Sequence, residues 1–263
     1  MEKGNIMGYI DVAQVTLYVF WAFFAGLIFY LRREDRREGY PLLSEPTNTS
    51  KNPGLIWIPP PKDFRLPHGG TVSAPNGIVD DRPLKAAKVA AWPGAPLTPT
   101  CDPMLAEVGP GSYAMRADTP DQMHHGGPRI IPMRLAAGFS IADGDPDPRG
   151  MTVVAADRKV AGIVRDVWVD RMEVILRYLE VELPAGEGEA GGAAVRVLLP
   201  ITFSSIDRRR GQVDVDAIMA RHFASVPRLA NPNQVTLLEE DKICAFYGAG
   251  TLYAHPSRTE PLL

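Results

Sequence analysis

Cysteine is scarce: the chain has two, Cys101 and Cys244, in 263 residues. They fit no metal or redox spacing and read as free thiols of a reducing compartment. An excess of one charge is also lacking. The formal net charge is −3, which gives no electrostatic footprint for nucleic acid. Catalytic signatures are missing as well. There is no G-x-S-x-G, no H-E-x-x-H, no Walker loop and no G-x-G-x-x-G between strand and helix. An anchored hydrolase therefore has no nucleophile–base pair to rest on. Helical periodicity is missing from most of the chain, whose 25 prolines and 24 glycines demand turns and irregular backbone.

One long apolar run is present. Val12 to Leu31 reads VAQVTLYVFWAFFAGLIFYL, without a charge. At about 1.5 Å per residue a helix of this length crosses about 30 Å of hydrocarbon. Helix is required there, because lipid offers no partner for free backbone amides. Tyr9 and Tyr30 flank the run and suit the interfacial belts. A cleaved signal peptide would need basic residues before the run and a small-residue cleavage site after it. Here the basic cluster follows the run as Arg32, Arg33, Arg36 and Arg37. A buried core helix is disfavoured by the length and the charged boundary. The positive-inside rule puts the arginine end, and with it the C-terminal bulk, in the cytoplasm, leaving residues 1–11 periplasmic.

From 32 to 131 the chain is proline-rich, punctuated by Pro41, Pro46, Pro53, Pro59, Pro60, Pro61 and ten more up to Pro128. Proline fixes φ and removes donors, so long helices and central strands are excluded. Apolar groups interrupt the stretch: Leu55 to Ile58, Phe64, Leu66, Val89 to Trp92, and Met104 with Leu105. A free linker is one reading. The preferred one is an extended segment laid along a partner surface, with these side chains as anchors.

From 132 the texture turns to strand. Met151–Ala155, Val160–Asp170, Val174–Leu183, Ala194–Ser204 and Gln212–Val215 are predicted strands. Leu179, Val181 and Leu183 alternate with Tyr178, Glu180 and Glu182, which predicts one buried and one polar face. Gly186–Gly192 and Asp207–Gly211 are predicted turns. The expected fold is one transmembrane α-helix followed by a mainly β domain, a small antiparallel barrel or folded sheet. Short C-terminal helices follow, one over Asp216–Phe223. The other starts at Thr236, whose Thr-x-x-Glu pattern ending at Glu239 is a capping box. It is predicted to reach about Tyr247 and stop at Gly248 or Gly250.

Three clusters compete as chemistry. Asp143, Asp145 and Asp147 suggest a calcium loop, but the mid-loop glycine and closing glutamate are missing, so a solvated turn is preferred. His124 and His125 read as a surface loop, or as a weak metal site or proton-collecting patch. Adjacent histidines point apart in an extended chain. Asp166 to Arg177 packs three acids and two bases among apolar residues. Glu173 and Arg177 share strand parity, so both project toward one face if the strand runs through them. A carboxylate between apolar surface and a basic neighbour can be tuned toward neutral pH and pass protons. An ordinary ion-pair cluster at a strand end is the plainer alternative.

The segments YIDVAQVTLYVFWAFFAGLIFYLRREDRREGYPL, TCDPMLAEVGPGSY, IPMRLAAGFSIADGDPDPRGMTV, VAGIVRDVWVDRMEVILRYLEVEL and NPNQVTLLEEDKICAFYGAG together resemble the reaction-centre H subunit of purple photosynthetic bacteria. The resemblance covers nearly the whole chain in order. It implies a PRC-type β-barrel for residues 132–263 and location in the intracytoplasmic photosynthetic membrane. It implies no enzyme activity and no cofactor held by this chain itself. The partner L and M subunits would hold bacteriochlorophyll, bacteriopheophytin, quinones and a non-haem iron. A cytochrome subunit, the light-harvesting complex and membrane lipids are further implied partners. The resemblance also implies proton transfer through Glu173, Asp170 and Arg177, with His124 and His125 near the entry point. A membrane-anchored PRC-barrel adaptor without a photosynthetic role is the alternative.

Overall fold

A computed structural model describes residues 5–7, 10–44, 49, 50, 54, 56–184 and 194–259. Tyr9, Pro46, Pro53, Leu55 and the predicted Gly186–Gly192 turn lie outside the described residues. Contacts divide the chain into two compact units, residues 1–80 with 91–95 and residues 81–90 with 96–263.

The first unit is built on helix α1, Val12–Glu34. Asp11 caps it by accepting the Gln14 amide at 2.7 Å. With its short 3-10 extension to Arg37 it is long and apolar enough to cross a membrane, and none of its side chains is buried by the rest of the chain. The arginines after it also tether the chain. Arg37 pairs with Glu34 at 2.8 Å and donates to the carbonyls of Pro60 and Ala74 at 2.8 and 2.9 Å. Arg36 donates to the Ile56 carbonyl. The Arg33 guanidinium lies 5.3 Å from the Trp57 ring centre, and Trp57 meets Phe29 edge-on. The proline-rich chain thus folds back on the charged end of the helix. Beyond it, Lys62–Arg65 (β1) and Thr71–Ala74 (β2) form an antiparallel hairpin, on which Phe64 stays exposed.

The second unit carries the hydrophobic core. A small hairpin of Ala86–Lys88 (β3) and Leu97–Pro99 (β4) precedes it. Met104, predicted as an anchor for a partner, is buried in this core instead. The main sheet has seven strands: β5 Ile130–Pro132, β6 Thr152–Val154, β7 Val160–Asp170, β8 Ile175–Glu182, β9 Arg196–Pro200, β10 Ser205–Asp207 and β11 Gln212–Asp214. Their order is β9-β8-β7-β6-β11-β10, and β5 pairs with the far half of β7. Strand β7 pairs with β6 through its first residues and with β5 through its last three, and its ladder with β8 is bulged near Asp166 and Val169. The predicted antiparallel barrel needs two corrections. The β6–β11 pair is parallel, and among the described residues β9 and β10 do not pair, so the barrel is not closed. Trp168, Leu179, Leu199, Ile218, Phe223, Ile243 and Tyr247 form the fully buried centre.

The predicted helix over Asp216–Phe223 is replaced by a 3-10 turn at Ala220–Ser225. The carbonyls a helix would use are taken elsewhere. Arg258 binds those of Asp216 and Ala217 at 2.7 and 2.8 Å, and the Ala156 amide binds that of Ile218. Helix α2, Leu237–Tyr253, has the predicted capping box: Thr236 Oγ1 accepts the Glu239 amide at 3.1 Å and Glu239 accepts the Thr236 amide at 2.9 Å. It does not stop at Gly248 or Gly250. Both glycines are helical contact points: a Cβ on Gly248 would lie 2.6 Å from the Pro110 carbonyl, and one on Gly250 2.6 Å from that of Ala217.

Candidate functional site

The acidic end of β7 is where charges converge. Asp170 closes the strand and its side chain is fully buried. A buried carboxylate is tolerable only when its lone pairs are filled. Asp170 Oδ1 accepts the amides of Met172 and Glu173 at 3.0 and 3.1 Å and Arg129 Nε at 2.8 Å. Oδ2 accepts Arg129 Nη2 at 2.7 Å and Arg177 Nε and Nη2 at 3.3 Å each. The two amide bonds shape the turn between β7 and β8, which ends with Val174 at a left-handed φ of 55°.

Arg129 is the hub. Besides Asp170 it binds Asp121 at 3.1 Å and forms a close ion pair with Glu173. Arg177 reaches Glu173 at 3.4 Å. Three carboxylates and two guanidiniums thus share one patch with one formal negative charge left over. Asp170 resists ionisation through burial, but the Arg129 hydrogen bond, the two amides and the Arg129 charge outweigh this and hold its pKa below the ordinary carboxylate range. The same carboxylates raise the pKa of Arg129, the Asp170 hydrogen bond most of all. Glu173 and Asp121 differ from Asp170 in access: their side chains are 49% and 41% exposed. The predicted parity argument for Glu173 and Arg177 is corrected, because Glu173 sits in the turn and only Arg177 lies in β8. They meet because the turn curls the glutamate over the strand.

His124 and His125 sit in the exposed loop that leads to Arg129. They do not point apart as predicted. The chain turns there, with the Gly126 amide on the Met123 carbonyl at 2.9 Å, and the two rings meet edge to face with centres 4.9 Å apart. Gly126 and Gly127 supply positive φ values of 85° and 79°. Asp147 of the acidic run is bound by Arg149 at 2.5 Å. Among the described residues no group of three or more His, Cys, Asp or Glu side chains could hold a metal ion.

Sequence reasoning missed a second, deeper cluster. Glu180 was expected on a polar face, yet it is buried. Arg134 bridges Asp166 at 3.0 Å and Glu180 at 2.8 Å. Trp168 Nε1 donates to Glu180 at 3.0 Å, and Arg196 Nη1 donates to the same carboxylate at 2.8 Å. Burial works against the Glu180 charge, but these donors prevail and its pKa falls. Arg134 also binds Asn233 and the Pro232 carbonyl, which roofs the face that alternation left open to solvent. A third site links β8 to α2, where the Tyr178 hydroxyl donates to Glu240 at 2.8 Å. Burial raises the Glu240 pKa, against the Tyr178 hydrogen bond and the charges of Arg177 and Arg116. The only sequence signal for these groups was a charge inside an apolar strand or next to a helix cap.

The raised Glu240 pKa carries a pH prediction. A carboxylate that holds its proton more tightly when folded lowers stability as pH climbs from the ordinary carboxylate value through the raised one. Glu240→Gln keeps an acceptor for Tyr178 and cannot ionise. It should raise the melting temperature by about 2–4 °C at neutral pH and leave it unchanged near about pH 4. A uniform shift at both pH values would show that the charge of Glu240 is not the cause.

Residues 4–135 match the family profile described as photosynthetic reaction centre, H-chain N-terminal region. Residues 142–220 match the PRC-barrel domain. The first match spans the apolar helix and ends just past Arg134. The second contains β6 to β8 with Asp170, Glu173 and Arg177.

Proposed function

The chain belongs to the photosynthetic reaction centre H-chain family, and on that premise we propose that its second unit caps the cytoplasmic face of the L and M subunits, shields the secondary quinone and feeds it protons. The family is that of a non-catalytic subunit, and the one long apolar helix among the described residues fits a single-pass membrane protein. The proposed orientation puts the N-terminus in the periplasm and the bulk in the cytoplasm, following the arginines Arg32 to Arg37.

Reducing a quinone to a quinol takes protons as well as electrons, so a screened quinone needs a route for protons through its cover. The observation that carries the reading is the Asp170–Arg129–Arg177–Glu173 patch. Asp170 is a poor carrier because it remains ionised, and its role is to hold the two guanidiniums in place. Glu173 has the solvent access that Asp170 lacks and meets both guanidiniums, whereas exposed Asp121 meets only Arg129, so Glu173 takes up the proton and passes it inward. Arg129 and Arg177 hold its side chain in place by ion pairs. The exposed His124–His125 loop, which leads to Arg129, is the proposed entry point for protons from solvent. Exposed apolar groups of the first unit, Trp57, Phe64 and Trp92 among them, are the anchors on partner subunits. Contacts with a cytochrome subunit, the light-harvesting complex and lipids belong to the same reading.

Glu173→Gln in the assembled reaction centre should slow proton-coupled electron transfer to the secondary quinone at least about tenfold. Flash-induced absorbance kinetics measure this. An unchanged rate between about pH 6 and 9 would remove Glu173 from the path.

A further inference from the structure

We propose that the cavity beside Tyr113, between α2 and the loop through Glu107, binds a small phosphate-bearing anion. The cavity measures about 330 Å³ and lies wholly within the second unit. That is room for a phosphate with a modest organic group. Lys85 and Lys242 both line it, as do Glu107, Tyr113 and Phe246.

Charge is the first argument. The Arg82 guanidinium lies 4.4 Å from the Tyr113 ring centre and the Lys242 ammonium 5.7 Å from it. Lys85 pairs with Glu107 at 3.1 Å. Lys242 is half-buried, and among the described residues it has the Tyr113 ring as neighbour but no hydrogen bond or ion pair. Its ammonium therefore reaches the cavity with no protein acceptor among the described residues and is available to an anion that enters. Lysines act as point charges on phosphate oxygens; Lys242 offers the unengaged ammonium, and Lys85 is a second that the anion would share with Glu107, whose carboxylate also lines the cavity.

Backbone shape is the second argument. Glu107 has a left-handed φ of 59°, unusual for a residue with a side chain. That conformation accompanies its bond to Lys85 and leaves Lys242 without that carboxylate. Nearby Gly111 lies so close to α2 that a Cβ there would stand 3.0 Å from the Ala249 Cβ. The loop and the helix therefore form fixed walls, and buried Met104 and Phe246 give the cavity a dry floor that strengthens each charge contact.

The site is separate from the proton path, so its test does not depend on that reading. The whole chain in its native complex is titrated calorimetrically at low salt with inorganic phosphate, and separately with dihexanoyl phosphatidylglycerol. Saturable binding of either probe is expected, weakened at least about tenfold by Lys242→Gln and largely retained in Lys242→Arg. Binding of phosphate would identify a soluble ligand, and binding of the lipid alone a headgroup. Lys85→Gln is the second variant should Lys242→Gln melt early. Absence of saturable binding by both probes, or binding that neither glutamine variant weakens, overturns the proposal.

Discussion

Asp170→Asn should destabilise the second unit by about 3–5 kcal/mol, the cost of breaking a buried ion pair from one side. The carboxylate is fully buried and receives Arg129, Arg177 and two turn amides. An asparagine keeps the shape, but its amide nitrogen faces a guanidinium and its charge is gone. The loss also reaches the turn, because the bonds to Met172 and Glu173 help hold Val174 at its positive φ. Denaturant titration of wild type and variant, compared at neutral pH, measures the difference. The pH dependence follows from the lowered pKa of Asp170. Its contribution is complete above the ordinary carboxylate value and is lost as pH falls through the lowered one. The gap between wild type and Asp170→Asn should therefore close in acid. A difference under about 1 kcal/mol at neutral pH would mean that the arginines are satisfied without Asp170, and the patch would lose its anchor.

Gly250→Ala should destabilise the same unit by about 1–3 kcal/mol, the usual cost of forcing extra volume into a packed core. The sign is the point. In an exposed helix interior the same change stabilises by about 1 kcal/mol. Here the new Cβ would stand 2.3 Å from Ile218 Cγ2 and 2.6 Å from the Ala217 carbonyl. The Ile218 methyl is on the β-branch of a fully buried side chain, and the carbonyl is fixed by Arg258 at 2.8 Å. The strain should also loosen the C-terminal contacts of Arg258 with Asp216 and Gly250. A melting temperature at or above wild type would show that α2 has slack at this position.

Some elements could be read directly. Strand β7 is Val160–Asp170 as predicted, the strand cores at 152–154 and 212–214 lie inside their predicted runs, and the capping box at Thr236 and Glu239 is formed. The apolar helix starts at Val12 as read. Other elements were not legible. Ile130–Pro132 is a strand because β7 offers it an edge, and three residues carry no period of their own. Helix α2 runs through two glycines because Pro110 and Ala217 press against them from different directions, and its buried residues do not form a single stripe that periodicity could follow.

The candidate site divides the same way. The local density of charge around Asp170 marked the place and Glu173 and Arg177 within it, and the resemblance supplied their proton-transfer role. Arg129, which joins them, lies 41 residues before Asp170, and nothing near it in the chain announces its partners. Glu180 read as a surface residue until Arg134, Trp168 and Arg196 closed around it. Sequence alone determined what neighbouring residues can settle among themselves: a span long enough for lipid, alternation, caps and turns. Only the tertiary structure decided which charges meet, which polar face is roofed and which glycine is a contact point. Those outcomes depend on distant strands arriving side by side, and a buried charge becomes tolerable only after its partner has arrived.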